Sequence, residues 1–222
     1  MSSDTPSIAD RLLAIQAQLP SHVTLVAVSK TKPVQAVADA LLTGQLDFGE
    51  NRVQELVEKA EGLANEQIKW HHIGHLQTNK VKFIIPYVHL IHAVDSMRLL
   101  EEINRRSSQM NKTTDVLLQM HIAQETTKYG WSDDEMEQFM DSNPLPQFPS
   151  IRVRGLMGMA TFTDDRRQIA SEFRKLKSAY DRWKKPHPDW DILSMGMSGD
   201  WPIAIDEGST MVRIGSSIFG SR

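Results

Sequence analysis

The chain has 222 residues, of which 40% are hydrophobic and 24% are charged, and its formal net charge is −3. This balance is typical of a globular protein, and the lack of a basic excess argues against nucleic acid as a partner. The sequence contains no cysteine, which excludes disulfide bonds and thiolate metal sites. We see no secretory signal in residues 1–10 and no apolar run that approaches the roughly 18 residues of a membrane span. We therefore expect a cytoplasmic protein with a single domain over residues 1–222.

The predicted elements alternate between strands and helices. A helical apolar face over residues 8–19 precedes the first strand, 23–30, which is rich in β-branched residues and ends on Lys30. Further strands are predicted at 46–49, 68–74, 90–94, 115–122, 153–159, 192–195 and 211–214, with helices between them at 33–44, 53–60, 78–85, 97–110, 132–140, 169–183 and 201–207. Eight such strands predict a (β/α)8 TIM barrel, an α/β fold, with an extra N-terminal helix. The alternative is an open doubly wound sheet, which usually has fewer strands and often a Gly-x-Gly-x-x-Gly turn that this sequence lacks.

Three features at predicted strand ends indicate a common site, because functional residues of such barrels gather at the carboxyl ends of the strands. A partly desolvated lysine such as Lys30 can form a Schiff base with an aldehyde, although a lysine that caps a strand in water is the alternative. The loops 196–199 and 215–217 are rich in glycine and serine, which favours a phosphate site. Arg213 lies inside the last strand and needs a planar acceptor or a counter-ion. Together these groups describe a pocket for pyridoxal 5′-phosphate (PLP).

Three histidines suggest a metal site as a competing interpretation. His71 and His72 are neighbours on a predicted strand, so their side chains point to opposite faces and make poor joint ligands. His75 has no cysteine and no obvious carboxylate to complete a zinc site. We therefore expect no metal.

Seven sequence blocks occur in the order found in one known family. They are AVSK (27–30), FGENRVQE (48–55), WHHIGHLQTNK (70–80), IHAVDS (91–96), GLMGM (155–159), LSMGMS (193–198) and GSTMVRIG (208–215). Along nearly its whole length the chain resembles the pyridoxal phosphate homeostasis proteins. The resemblance implies a barrel of the alanine racemase N-terminal type (fold type III) that carries PLP as an aldimine of Lys30.

The resemblance also implies roles for other residues. Ser198, Gly215 and Ser216 are expected to hold the phosphate, and Arg213 is expected to face the pyridine nitrogen. Asn51 is expected to lie near the ring. Met195, which belongs to a group of mainly packing methionines, is expected to touch the ring. The full set of expected cofactor-binding residues is Lys30, Asn51, Met195, Ser198, Arg213, Gly215 and Ser216.

The family is regarded as a carrier or buffer of PLP that affects amino-acid and keto-acid balance, without robust turnover. An arginine cannot accept a proton from the ring nitrogen, so Arg213 favours an unprotonated ring and a weaker electron sink. The chain ends soon after the eighth predicted strand, without the second domain from which racemases of this fold take an acid/base. We therefore expect a non-catalytic carrier, monomeric, with PLP-requiring apoenzymes as recipients. The alternative is a PLP-dependent amino-acid racemase or lyase.

Two further lysines are candidates for transfer of the cofactor. Lys32 is two residues beyond Lys30 and lies on the same side if the strand continues. Lys128 follows the fifth predicted strand. We expect either amine to take the cofactor transiently on its way out.

Overall fold

A computed structural model of the chain describes residues 6–65, 67–125 and 129–220. The strands in this part are β1 (Thr24–Val28), β2 (Asp47–Glu50), β3 (Lys69–His72), β4 (Val88–Val94), β5 (Thr114–Gln119), β6 (Ile151–Met157), β7 (Ile192–Met197) and β8 (Met211–Ile214). The helices are α1 (Ile8–Gln16), α2 (Val34–Leu41), α3 (Val53–Leu63), α4 (Val81–Ile84), α5 (Met97–Gln109), α6 (Asp133–Asp141), α7 (Arg166–Lys184), α8 (Trp201–Asp206) and α9 (Ser216–Phe219). Short 3-10 turns occur at Thr78–Lys80 and Leu145–Gln147.

The strands form a closed parallel barrel in sequence order, so the predicted (β/α)8 architecture is confirmed. Closure occurs where β8 pairs with β1, with Thr24 opposite Met211 and Ala27 opposite Ile214. A parallel sheet needs a crossover between successive strands, and the helices provide these crossovers. The carboxyl ends of all eight strands therefore meet at one face of the molecule.

The alternation of residues along β1 shows how the apolar side chains are divided between two clusters. Leu25 and Ala27 belong to the large apolar cluster that also contains helix residues, between the barrel and its outer layer. Val26 belongs to the smaller cluster inside the barrel. Successive side chains of a strand point to opposite faces, so a buried parallel strand needs apolar residues on both. This explains why the first strand is apolar almost throughout.

The N-terminal helix is tied to the end of the barrel. Ser7 and Asp10 form a capping box that begins α1. Arg11 Nε donates to the carbonyl oxygen of Ile218 in α9 at 2.5 Å. The sequence did not predict α9, because four residues are too few to show a helical period. Within the described ranges, no helix combines the length and the apolarity that a bilayer span requires.

Candidate functional site

A cavity of about 820 Å³ opens at the carboxyl ends of the strands. It contains residues from the loops that follow most of the strands, as expected for this fold. The predicted site residues that line it are Lys30, Asn51, Ser198, Arg213, Gly215 and Ser216. The structure therefore brings together every predicted site residue except Met195.

Lys30 lies in a tight turn that follows β1. The N–H of Lys32 donates to the carbonyl oxygen of Ser29 at 3.0 Å, and Thr31 has a positive φ of 64°. A β-branched residue rarely adopts that conformation. The Glu55 carboxylate accepts a hydrogen bond from the Thr31 N–H at 2.6 Å and so helps to hold the turn. The turn places Lys30, which is half-buried, in the cavity wall.

A buried ion pair supports this turn from beneath. One oxygen of Glu50 accepts hydrogen bonds from the Ser29 hydroxyl and from Lys59 Nζ, each at 2.6 Å. Lys59 Nζ also donates to the Ser29 carbonyl oxygen at 2.7 Å. Burial raises the pKa of Glu50, and the hydrogen bonds from Lys59 and Ser29 oppose that rise. The pair fastens the end of β1 to β2 and α3, and thereby fixes the backbone that carries Lys30.

The two loops rich in glycine and serine are joined by a hydrogen bond. The N–H of Gly215 donates to Ser198 Oγ at 3.1 Å, which links the loop after β8 to the loop after β7. Asp200 Oδ1 accepts from the N–H of Met197 at 2.5 Å and closes the first of these loops. The N–H of Ser216 lies in the first turn of α9, where it has no acceptor within the helix. These hydroxyl and N–H groups form a wall that suits an anionic oxygen.

Arg213 forms the floor of the cavity. Its side chain is 3% exposed, one terminal nitrogen donates to Ser194 Oγ at 2.5 Å, and the other donates to the Gly158 carbonyl oxygen at 3.0 Å. Burial lowers the pKa of Arg213 to about 10, against the opposing effect of Asp200. The guanidinium is therefore still protonated at neutral pH, and it can only donate hydrogen bonds toward the cavity.

Asn51 supplies an acceptor that none of the described residues satisfies. Its Oδ1 is buried and has no hydrogen-bond donor among the described residues. The backbone packs tightly behind it, since a Cβ on Gly74 would lie 2.5 Å from the Asn51 carbonyl oxygen. Buried amide oxygens nearly always have a partner. This oxygen is consequently a place where a bound ligand can donate a hydrogen bond.

Met195 does not reach the cavity. Its side chain is fully buried in the apolar layer between the barrel and the helices. The pairing of β7 with β8 shifts in register between Ser194 and Met197, and Gly196 has a φ of +96°. This break in the regular alternation turns Met197 toward the cavity in its place. A strictly alternating strand would have hidden Met197 from the site.

The two lysines considered for transfer have different outcomes. Lys32 lines the cavity, although β1 ends at Val28 and the chain reaches Lys32 through a turn rather than a continued strand. Lys128 lies outside the described residues.

Sequence reasoning missed the loop after β6 and the pair of rings at the cavity rim. Thr161 and Phe162 line the cavity, and the strand-end rule applied to β6 would have found them. His75 Nδ1 lies 3.0 Å from Asp95 Oδ2, and the His75 ring stacks on Tyr129 with centroids 3.9 Å apart. Neither contact has a local sequence signal, because the three residues come from different loops.

The three histidines considered for a metal do not form a cluster. His71 and His72 are both fully buried. His71 points into the barrel, where its Nε2 lies 3.0 Å from Asp47 Oδ1. The ring nitrogens of His72 have no hydrogen-bond partner among the described residues. Burial, with a smaller effect of His75, lowers the pKa of His72 to about 4. Among the residues that the structure describes, no group of three or more His, Asp or Glu side chains is arranged to hold a metal ion.

Comparison with known proteins decides the family. Residues 3–222 match the family model of the alanine racemase N-terminal domain. Over 207 residues the chain is 39% identical to the pyridoxal phosphate homeostasis protein of Vibrio alginolyticus, an alignment that covers 91% of this chain and 88% of that protein. This chain belongs to the pyridoxal phosphate homeostasis protein family.

Solved structures agree with this assignment. The structure of PipY from Synechococcus elongatus PCC7942 with PLP bound matches with a TM-score of 0.88 and 34% identity, over 96% of this chain and 100% of PipY. An alanine racemase of Clostridium difficile 630 matches with a TM-score of 0.79 and 16% identity, over 97% of this chain and 56% of the racemase. The second likeness shows a shared fold.

Proposed function

We propose that this protein binds PLP in the cavity and acts as a carrier that buffers its supply to PLP-requiring apoenzymes. The observation that carries the proposal is the placement of Lys30, Arg213 and the two Gly/Ser loops around one cavity. An amine, a cationic floor and an anion-binding wall match the aldehyde, the ring nitrogen and the phosphate of PLP. The family and the PLP bound to PipY support the same proposal.

The cavity offers each part of PLP a suitable group. Lys30 would hold the aldehyde carbon covalently, since its amine sits at the wall on a turn that its neighbours fix. Ser198, Gly215 and Ser216 would bind the phosphate through hydroxyl and N–H groups. Arg213 would face the ring nitrogen, and Asn51 Oδ1 would accept a hydrogen bond beside the ring. Met197, which lines the cavity, would contact the ring in place of Met195.

The floor of the cavity favours holding the cofactor over using it. When bound, PLP supplies an aldehyde that combines with amines and a ring that withdraws electrons from the attached carbon. Arg213 is protonated and can only donate, so it keeps the ring nitrogen unprotonated and the ring a weaker electron sink. On this proposal, effects on amino-acid and keto-acid balance follow from the supply of PLP to other enzymes.

Borohydride trapping tests the attachment. Purified protein is mixed with PLP, reduced, digested and mapped by mass spectrometry. We expect the label on Lys30 and its loss from that position in Lys30→Ala, while Lys175→Ala, an exposed site on α7, labels like the wild type. A wild-type protein that takes up no label, or takes it up elsewhere, contradicts the proposal. Label on Lys32 or Lys128 in Lys30→Ala would support their part in transfer, and its absence would oppose it.

A racemase or lyase is the second candidate, and one observation favours it. His75 lines the cavity and is held by Asp95, and an imidazole placed in this way can accept a proton from a substrate. Incubation with a panel of L-amino acids, followed by chiral chromatography and a keto-acid assay, separates the two functions. Turnover near 1 s⁻¹, about the low end for enzymes, would contradict the carrier.

A further inference from the structure

Behind Arg213, a row of buried side chains crosses the inside of the barrel to its opposite face. Ser194 Oγ, which contacts the guanidinium, lies 3.1 Å from His92 Nδ1. His92 Nε2 lies 2.9 Å from His71 Nδ1, and His71 Nε2 lies 3.0 Å from Asp47 Oδ1. The side chains come from β8, β7, β4, β3 and β2, and all but Asp47 are less than 4% exposed.

The two ends of this row limit the directions that its hydrogen bonds can take. A guanidinium can only donate, and an ionised carboxylate can only accept. Burial raises the pKa of Asp47, but the hydrogen bond from His71, together with the nearby positive charge of Lys69, outweighs it and holds that pKa below its ordinary value. Asp47 is therefore an acceptor, and His71 Nε2–H donates to it.

The remaining protons follow from these ends. Ser194 Oγ accepts from Arg213, and the acceptor that the described contacts offer to its own hydroxyl proton is His92 Nδ1. His92 then carries its proton on Nε2 and donates to His71 Nδ1. Both histidines are neutral, and both carry the proton on Nε2.

The opposite direction leaves a proton without an acceptor. If His71 were doubly protonated, His92 would donate to Ser194 Oγ, which already accepts from Arg213. The hydroxyl proton of Ser194 would then have no acceptor among the side-chain contacts described for it. Burial, with the nearby His71 and Arg213, lowers the pKa of His92 well below its ordinary value, so a second proton on His92 is also disfavoured.

We infer that Asp47, His71, His92 and Ser194 are positioning residues for Arg213, acting through a one-way chain of hydrogen bonds anchored at the opposite face of the barrel. These hydrogen bonds keep a lone pair of Ser194 turned toward the guanidinium. With one terminal nitrogen held there and the other held on Gly158, the plane of the guanidinium is fixed. The consequence for PLP rests on the proposed function, in which Arg213 faces the ring nitrogen.

Nuclear magnetic resonance of the cofactor-free protein tests the direction of the chain. Long-range ¹H–¹⁵N spectra distinguish the two neutral forms of histidine and the doubly protonated form. We expect His71 and His92 to be neutral with the proton on Nε2 at neutral pH. A proton on Nδ1 of either ring, or a doubly protonated ring, would overturn the inference.

Variants test whether the row of hydrogen bonds positions Arg213. In Ser194→Ala we expect faster rotation of the Arg213 guanidinium, seen as averaging of its terminal nitrogen signals, and PLP binding about tenfold weaker. Ser194→Thr keeps the hydroxyl and should restore both readouts. His89→Gln is a matched control, because His89 contacts His71 with ring centroids 5.6 Å apart but is not a member of the chain.

The possible results separate the positioning role from the proposed function. Unchanged Arg213 rotation in Ser194→Ala would overturn the positioning role. The proposed function fails instead if the wild-type protein takes up no PLP on Lys30. The histidine and arginine signals come from the cofactor-free protein and decide the present inference in either case.

Discussion

Replacing Lys59 by methionine tests whether the buried ion pair beneath Lys30 holds the cavity wall in place. Lys59 is 4% exposed and its partner Glu50 is 0% exposed, with 2.6 Å between the charged atoms. Removal of one member of a buried pair leaves an uncompensated charge and costs about 3–5 kcal/mol. We expect the free energy of unfolding to fall by that amount at neutral pH. This is a large fraction of the about 5–15 kcal/mol that stabilises a typical domain.

The loss should depend on pH. Burial already raises the pKa of Glu50 from its ordinary 4.5, and Lys59 opposes that rise. Without Lys59 the pKa rises further. A carboxyl group with a raised pKa in the folded state destabilises the fold as pH increases above its unfolded value. The difference between Lys59→Met and the wild type should therefore be largest near neutral pH and should shrink as the pH falls toward 4.5.

Urea unfolding at about pH 7 and about pH 5 measures both effects. The control is Lys175→Met, which breaks an ion pair with Asp133 whose side chains are 49% and 52% exposed. That substitution should cost less than about 1 kcal/mol. The double variant Lys59→Met with Glu50→Leu should recover much of the loss, because it removes the unpaired charge. A cost for Lys59→Met no larger than the control, or one that grows as pH falls, would refute the reasoning.

Substitutions at two glycines, at His72 and at Ser198 test other parts of the structure. Gly155→Ala should cost more than about 4 kcal/mol in thermal unfolding, because its Cβ would lie 1.9 Å from the Ile192 carbonyl oxygen. Gly44→Ala has no atom within 4 Å of the new Cβ and should cost only about 1–2 kcal/mol, from its φ of +83°; equal losses would contradict this. His72 should account for about 3 kcal/mol of the stability that the wild type loses as pH falls from 6.5 to about 4, because the unfolded chain takes up a proton at His72 over that range and the folded protein does not; this contribution should be absent in His72→Leu. Ser198→Ala should weaken PLP binding about tenfold in a fluorescence titration, whereas Ser178→Ala on the exposed face of α7 should not.

Much of the site could be predicted because the strand-end rule needs only local information. Lys30 follows an apolar strand, and Gly215 and Ser216 follow another, so each was assigned to the same face once the barrel was inferred. The same rule was not applied to β6, and the loop that carries Thr161 and Phe162 was missed for that reason.

The hydrogen-bond chain behind Arg213 could not be predicted in the same way. His92 and Ser194 are 102 residues apart, and nothing local to either predicts their contact. A polar residue that faces the inside of the barrel appears in the sequence only as an interruption of an apolar strand. Its hydrogen-bond partner depends on which strands lie opposite each other in the closed barrel. Closure of β8 on β1 brings them together.

By itself the sequence determined which segments become strands and helices, and therefore which reactive groups lie at the carboxyl face. That much follows from apolar periodicity and capping residues, which act over a few residues. Only the tertiary structure decided which side chains of β7 reach the cavity. The register shift turns Met197 toward the cavity, whereas Met195 stays buried outside it. The physical reason is that alternation sets the two faces of a regular strand, whereas an irregularity in its pairing depends on the neighbouring strand. The Lys30 turn depends on both, because its sequence is local but the Glu50 and Lys59 side chains that hold it come from β2 and α3.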